Sequence, residues 1–321
     1  MRKFLKNILL FILSIILLAY PLDLFISYNL KKSNTYVDGE YSTWNDLYNG
    51  EINADIVIYG SSRAWVHINP ALFEKSFGLA TYNLGIDGHN FWLQYLRHKT
   101  LLQYNKKPKY IILSVDIYSL QKRGDLYNYE QFLPYMLLEK DIKNYTSSYK
   151  GFSSLDYYYP LIRYVGNKNA VMQSIANSLL FFKSKPKRIK GYEGQDRNWN
   201  NDLFKAKQKI KHYEGKLDAA SLKLFNNFLK ECDEKDIKVI LAYTPEYVDG
   251  QSFVKNRKEI ITLFENFSEK YKIPFLDYSA NEICTKKEYF YNASHLNKRG
   301  ATLFTNMLIK DLKEKSIITT H

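Results

Sequence analysis

Residues 56–59, Ile-Val-Ile-Tyr, form a short apolar run that breaks off at Gly60 and two serines. A β-rich run this short, bounded by glycine, predicts a strand buried inside a parallel sheet. In open α/β sheets, functional groups collect beyond the carboxyl ends of the strands. Ser61 and Ser62 fall at such an end. Two readings of them stand at this point. One is a nucleophile, or both merely cap a following helix, where serine is favoured.

The pattern around this run repeats. Asn69-Pro70 opens a predicted helix over 70–77, with proline in its first turn. Residues 80–84 read as a second strand, running into Gly85-Ile86-Asp87-Gly88, and 91–104 carry apolar residues at helical spacing. Residues 110–116, Tyr-Ile-Ile-Leu-Ser-Val-Asp, are the clearest buried strand. Strands alternating with helices in this way predict a right-handed parallel sheet. The pattern returns with a helix over 217–233, a strand over 237–243, a helix over 254–271 and a strand over 273–277. A loop over 289–300 and a last helix over 301–313 follow. The fold class expected is α/β, a flavodoxin-like three-layer parallel sheet. Between about 121 and 213 the alternation is lost, and the chain becomes aromatic and basic. That stretch reads as a partly helical insertion, either shaping a site or merely elaborating the fold.

The N-terminus reads as an address. Arg2, Lys3 and Lys6 precede an almost wholly apolar stretch over 7–19, which resumes at 24–26 after Tyr20-Pro21-Leu22-Asp23. A bilayer crossing takes about 20 apolar residues, and 4–26 supplies them if Lys6 snorkels. A cleaved signal peptide is the rival reading, but no small-x-small cleavage site is evident. The expectation is an uncleaved anchor over 1–26, a linker over 27–53 and an α/β domain over 54–321. The basic residues place the N-terminus in the cytoplasm and the main domain outside it.

The net charge of +13 calls for an anionic surrounding. Nucleic acid is set aside, because no phosphate loop, zinc spacing or nucleic-acid motif is present. Anionic lipid headgroups or acidic envelope polymers account for the charge equally well. Cys232 and Cys284 lie far apart without metal-like spacing and read as buried thiols, although they could pair outside the cytoplasm. Neither a metal nor a cofactor is expected.

A serine nucleophile needs a base, usually histidine. His295 lies just before the last helix, in Tyr291-Asn292-Ala293-Ser294-His295-Leu296-Asn297. A parallel sheet would bring this loop to the same edge as Ser62, although a surface histidine capping the helix fits the spacing as well.

With these stretches together the chain resembles the SGNH, or GDSL-like, hydrolase superfamily. It most resembles the membrane-anchored branch associated with O-acylation of envelope polysaccharides. Gly60-Ser61-Ser62-Arg63 is similar to the first block and implies Ser62 as nucleophile. Residues 83–88 are similar to the second, and imply that Gly88, with Ser62, offers a backbone N–H to the oxyanion. Residues 111–116 fall where the third block's strand belongs. Residues 292–297 are similar to the last block and imply His295 as base. The resemblance covers 55–116 and 217–313, leaving out the insertion.

Two positions depart from the pattern. The acid three residues before the histidine is Asn292 here. An amide cannot stabilise an imidazolium by charge, and it can hold the wrong tautomer. A comparable change in a serine protease costs about 10⁴ in turnover. Either a Ser-His dyad suffices, another carboxylate such as Asp277 or Asp116 serves, or the site is weak or inactive. The third-block asparagine is also missing, with Ser114 and Asp116 near its place. An ionised Asp116 aimed at an oxyanion would oppose catalysis, so a loop or backbone contact is expected of it. Two functions remain: an extracytoplasmic O-acyl esterase or acyltransferase on envelope or exported polysaccharide, and a non-catalytic module of the same fold. The module would bind polysaccharide or partner an integral membrane acyltransferase.

Overall fold

The computed structural model describes residues 1–88, 91–179 and 185–319, which divide into two compact units. One unit joins Met1–Asn45 to Gly124–Lys187, and the other joins Asp46–Arg123 to Arg188–His321. The stretch from 121 to 213 is therefore shared between them.

The second unit is the α/β body. Its sheet has five strands in the order β2-β1-β3-β4-β5, all parallel. They are β1 (Ile56–Gly60), β2 (Thr81–Asn83), β3 (Tyr110–Val115), β4 (Lys238–Tyr243) and β5 (Phe275–Asp277). This is the flavodoxin-like order, which places the switch point between β1 and β3. β1 and β3 are buried along their whole length, as their largely apolar sequences require, with Ser114 the polar exception in β3.

Alternation along β1 sorts the two faces. Ile56 and Ile58 pack with Phe73, Phe77, Phe304 and Leu308, from helices Pro70–Phe77 and Lys298–Glu314. Tyr59 turns the other way, its ring centroid 6.3 Å from Phe228 and its hydroxyl 3.1 Å from His98 Nδ1. On that side Phe91, Phe225 and Phe228 meet edge to face at 4.9 and 5.3 Å. Burying each such ring contributes about 1.5–3 kcal/mol.

Two local differences from the sequence expectation matter for the site. A helix, Ser62–His67, begins at once after β1. The stretch expected as a loop over 289–300 contains an antiparallel pair, β6 (Phe290–Asn292) and β7 (His295–Leu296). Three-residue and two-residue strands are too short to show a period in sequence.

In the first unit the N-terminal helix runs unbroken over Arg2–Lys31, through Pro21. It is apolar and long enough to cross a membrane. Its later part packs against the helix Lys168–Leu179, and Arg163 closes on Asp23 through Nη1 and Nη2, at 2.8 and 2.6 Å. Trp44 and Tyr41 are fully buried against Phe132 and Tyr135.

Candidate active site

The two serines divide the two readings between them. Ser61 is the helix cap: its oxygen accepts from the Arg63 N–H at 3.3 Å, and its hydroxyl donates to Asp116 Oδ2 at 2.6 Å. Ser62 is the first helical residue, and its Oγ lies 2.7 Å from His295 Nε2. The turn between strand and helix is tight. Gly60 has φ +139°, and a Cβ there would lie 2.6 Å from the Ser114 carbonyl oxygen. Only glycine occupies that conformation without strain.

The second block positions this helix as a strut. Asn83 Nδ2 donates to the Ala64 and Ile68 carbonyls, both at 2.9 Å, while Oδ1 accepts from the Gly85 N–H at 2.9 Å. The Ile86 N–H donates to the Gly60 carbonyl at 3.0 Å, which lays the loop after β2 beside the nucleophile turn. Buried Arg97 holds the same loop through the carbonyls of Leu84 and Gly85. Gly88 follows in that loop with φ +60°.

His295 Nδ1 lies 2.9 Å from Asn292 Oδ1. That oxygen also accepts the Ser294 N–H at 3.0 Å, so it is the amide's carbonyl end that faces the ring. An oxygen there requires the proton on Nδ1. Nε2 is then bare and faces the Ser62 hydroxyl as an acceptor, the tautomer a general base needs. Asn292 therefore keeps the orienting role of an acid and lacks only its charge. Of the other carboxylates named from sequence, Asp277 is exposed at the end of β5 and accepts from Ser279. Asp116 accepts from Ser61, from the Tyr118 N–H at 2.8 Å and from Ser119. Neither is bonded to His295; Asp116 ties the Ser61 hydroxyl to its own loop.

The surroundings disfavour a charged imidazole. Desolvation, and then the Arg63 guanidinium, push His295 down to about 4, against a smaller opposite pull from Asp116 and Asp202. Arg63 is buried and ion-paired with Glu246 at 2.6 Å, with its Nε on Thr244 Oγ1 at 3.0 Å. Arg257 approaches the other Glu246 oxygen at 3.6 Å. Two guanidiniums thus share one carboxylate beneath the site.

Sequence reasoning missed three supports. His67 is fully buried, and its Nε2 accepts the Leu296 N–H at 3.0 Å. Its Nδ1 is then the protonated nitrogen, donating to Thr244 Oγ1 at 3.0 Å. This neutral imidazole pins β7 to the nucleophile helix; burial and Arg63 hold its pKa well below the usual range. Tyr291 stacks on the His295 ring at 5.3 Å and 12°, and Arg197 lies over Tyr291 at 5.7 Å. A cleft of about 170 Å³ opens beside Asn292 and His295, lined by Tyr118, Asp202, Leu203, Phe253 and Val254 among others. Trp199 packs against Tyr247, at 4.9 Å. The one sequence signal for His67 was its place five residues after Ser62 on the same helix.

Together these groups offer a hydroxyl to a neutral, oriented base beside a small cleft at the carboxyl edge of the sheet. Such an arrangement can form and resolve an acyl-enzyme. Among the described residues no cluster of His, Cys, Asp and Glu has the arrangement of a metal site.

No family model matches the chain, and no curated protein matches it. Among solved structures it is similar to a GDSL-like lipase from Bacteroides thetaiotaomicron, at 15% identity and TM-score 0.38, over 86% of this chain and 96% of that one. A protein assigned to the lipolytic G-D-S-L family from Desulfitobacterium hafniense matches at 13% and 0.38, over 80% and 98%. One assigned as an acylhydrolase from Bacteroides fragilis matches at 13% and 0.38, over 88% and 99%. Likeness at this level bears on neither activity nor substrate. The fold class rests on the observed strand order, and the chemistry on the contacts of Ser62 and His295.

Proposed function

We propose that the chain is an SGNH-type serine O-acyl esterase or O-acyltransferase, anchored in the membrane and acting outside the cytoplasm on an envelope or exported polysaccharide. The observation that carries the reading is the relay Ser62–His295–Asn292, at 2.7 and 2.9 Å, with the tautomer fixed by Ser294. His295 would take the Ser62 proton as Oγ attacks the acyl carbon and return it to the departing alcohol. The Ser62 and Gly88 N–H groups would stabilise the developing oxyanion, which in acyl transfer usually lowers the barrier more than any other single effect. Water as acceptor makes this an esterase, and a sugar hydroxyl makes it a transferase. The net charge of +13 favours an acidic polymer over a neutral one.

One observation favours the second reading, a non-catalytic module that binds polysaccharide or partners an integral membrane acyltransferase. No carboxylate among the described residues is bonded to His295. Covalent labelling of the detergent-extracted protein with a serine-reactive fluorophosphonate decides between the two. Labelling that is lost in Ser62→Ala supports the enzyme. A folded protein that takes no label is a binding module.

A further inference from the structure

The N-terminal helix changes character at Asp23. Before it apolar side chains face outward, with Phe4, Phe11, Leu17 and Leu18 67, 67, 64 and 74% exposed. Residues 2–22 rise about 31 Å, at about 1.5 Å each, matching a hydrocarbon core of about 30 Å. From Asp23 onward the helix belongs to a folded unit. The Asp23 carboxylate is fully buried, accepts from both terminal nitrogens of Arg163 and accepts the Leu161 N–H at 2.7 Å. Ser27 meets the Tyr164 hydroxyl at 2.8 Å. The segment 155–165 is thereby fixed at the height where the membrane-length stretch ends.

That segment is unusually apolar on its outer side. Leu155, Tyr158, Tyr159, Ile162 and Val165 are 51, 61, 55, 37 and 76% exposed. Lys143 lies over the Tyr158 ring at 4.4 Å, and Lys168 is exposed just beyond. Tyrosine with apolar neighbours and a lysine fringe is the composition that settles at a membrane–water boundary, ring in the acyl border and charge among the headgroups.

We propose that residues 155–165 are a second membrane contact, seated in the bilayer interface beside the N-terminal helix. The occupant of this surface is lipid, because the Asp23–Arg163 pair and the Leu161–Asp23 bond tie the segment to the apolar helix where its membrane-length stretch ends. The inference rests on reading that helix as a membrane anchor. Its consequence is that the first unit is held to the bilayer at two places, through the helix and through this segment.

The test uses the full chain in phosphatidylcholine vesicles carrying doxyl-labelled lipid. Cys232 and Cys284 are buried, with thiols pushed up in pKa, so single surface cysteines take the bimane label selectively. The labelled variants are Val165→Cys, Tyr159→Cys, Leu13→Cys within the crossing stretch, and Lys32→Cys, which lies about 14 Å farther along the helix than Asp23. A shallow 5-doxyl lipid should quench the labels at 165 and 159 at least about twofold more than the label at 32. A deep 12-doxyl lipid should quench the label at 13. Quenching at 13 with 165 and 159 no better quenched than 32 overturns the inference and leaves the anchor standing. No quenching at 13 overturns the anchor and the inference with it.

Discussion

Replacing Asn292 by aspartate isolates the charge that the Ser62–His295–Asn292 relay lacks. The amide oxygen already sits 2.9 Å from His295 Nδ1 and is held by the Ser294 N–H, so a carboxylate oxygen takes its place without rearrangement. What is added is a negative charge beside a ring that becomes positive in the transition state. Two unit charges about 4 Å apart, at an effective dielectric near 20, attract by about 4 kcal/mol. His295 is only partly buried, which lowers that figure. Each 1.36 kcal/mol off the barrier is about tenfold in rate, so turnover should rise about 10- to 10³-fold. The gain stays below the about 10⁴ of the protease comparison, because that loss includes a wrong tautomer, and Asn292 imposes none.

The pH profile supplies the internal check. A base works when neutral, so activity is present above its folded pKa and lost as pH falls through it. With His295 at about 4, the acid limb of kcat/KM in the parent protein should lie near pH 4. A neighbouring carboxylate favours the charged ring, and should move the limb up by about 1–3 units. The assay is hydrolysis of 4-nitrophenyl acetate, compared at pH 8 where both proteins hold a neutral ring, with Ser62→Ala as blank. A shifted limb without a rate gain would mean that charge at Nδ1 does not limit turnover. An unshifted limb in a folded variant would refute His295 as the base.

Removing His67 as His67→Ala leaves the Leu296 N–H without its acceptor; we expect a loss of about 1–3 kcal/mol in chemical denaturation and at least about a tenfold fall in kcat with KM little changed. Arg63→Met strips Glu246 of its 2.6 Å partner; it should destabilise by about 3 kcal/mol and raise the acid limb, and an unmoved limb would exclude Arg63 as a cause of the low His295 pKa. Gly60→Ala forces a Cβ to within 2.6 Å of the Ser114 carbonyl at φ +139°; a loss of less than about 0.5 kcal/mol on denaturation would show that the turn relaxes freely. An acetyl ester carrying a carboxylate should show a kcat acid limb above that of a neutral ester of equal size, and coincident limbs would refute a substrate charge acting on His295.

What the sequence made legible was what periodicity and punctuation encode. β1 is an apolar run up to Gly60, and β3 and β4 are apolar but for Ser114 and Lys238; each was visible as a strand between breakers. Ser62 and His295 stood out because glycine and a helix start bracket them. The supports were not visible for a physical reason. His67, Arg63 and Glu246 are polar groups buried by contacts 177 to 229 residues apart in the chain, and no local pattern records such pairings. Their burial is tolerable only because each is hydrogen-bonded or ion-paired, which is a property of the folded site. The Asn292 tautomer was likewise beyond sequence, since it turns on which end of an amide the Ser294 N–H selects.

The resting electrostatics bear on which substrate suits the site. A general base works best with a pKa near the working pH. Holding His295 at about 4 rather than its usual 6.5 makes it a weaker base, by about 2–3 kcal/mol after allowance for its partial exposure. The causes include two cations, and they differ in kind. Arg63 is buried and already paired with Glu246, so a substrate cannot neutralise it. Arg197 is exposed and lies over Tyr291, the ring stacked on His295. A carboxylate bound beside Arg197 would cancel its effect and add a negative charge near the imidazole, and both changes raise the base's pKa in the complex. The kcat limb reports that complex, whereas kcat/KM reports the free protein. A carboxylate-bearing substrate would therefore supply, on binding, part of the charge that Asn292 withholds.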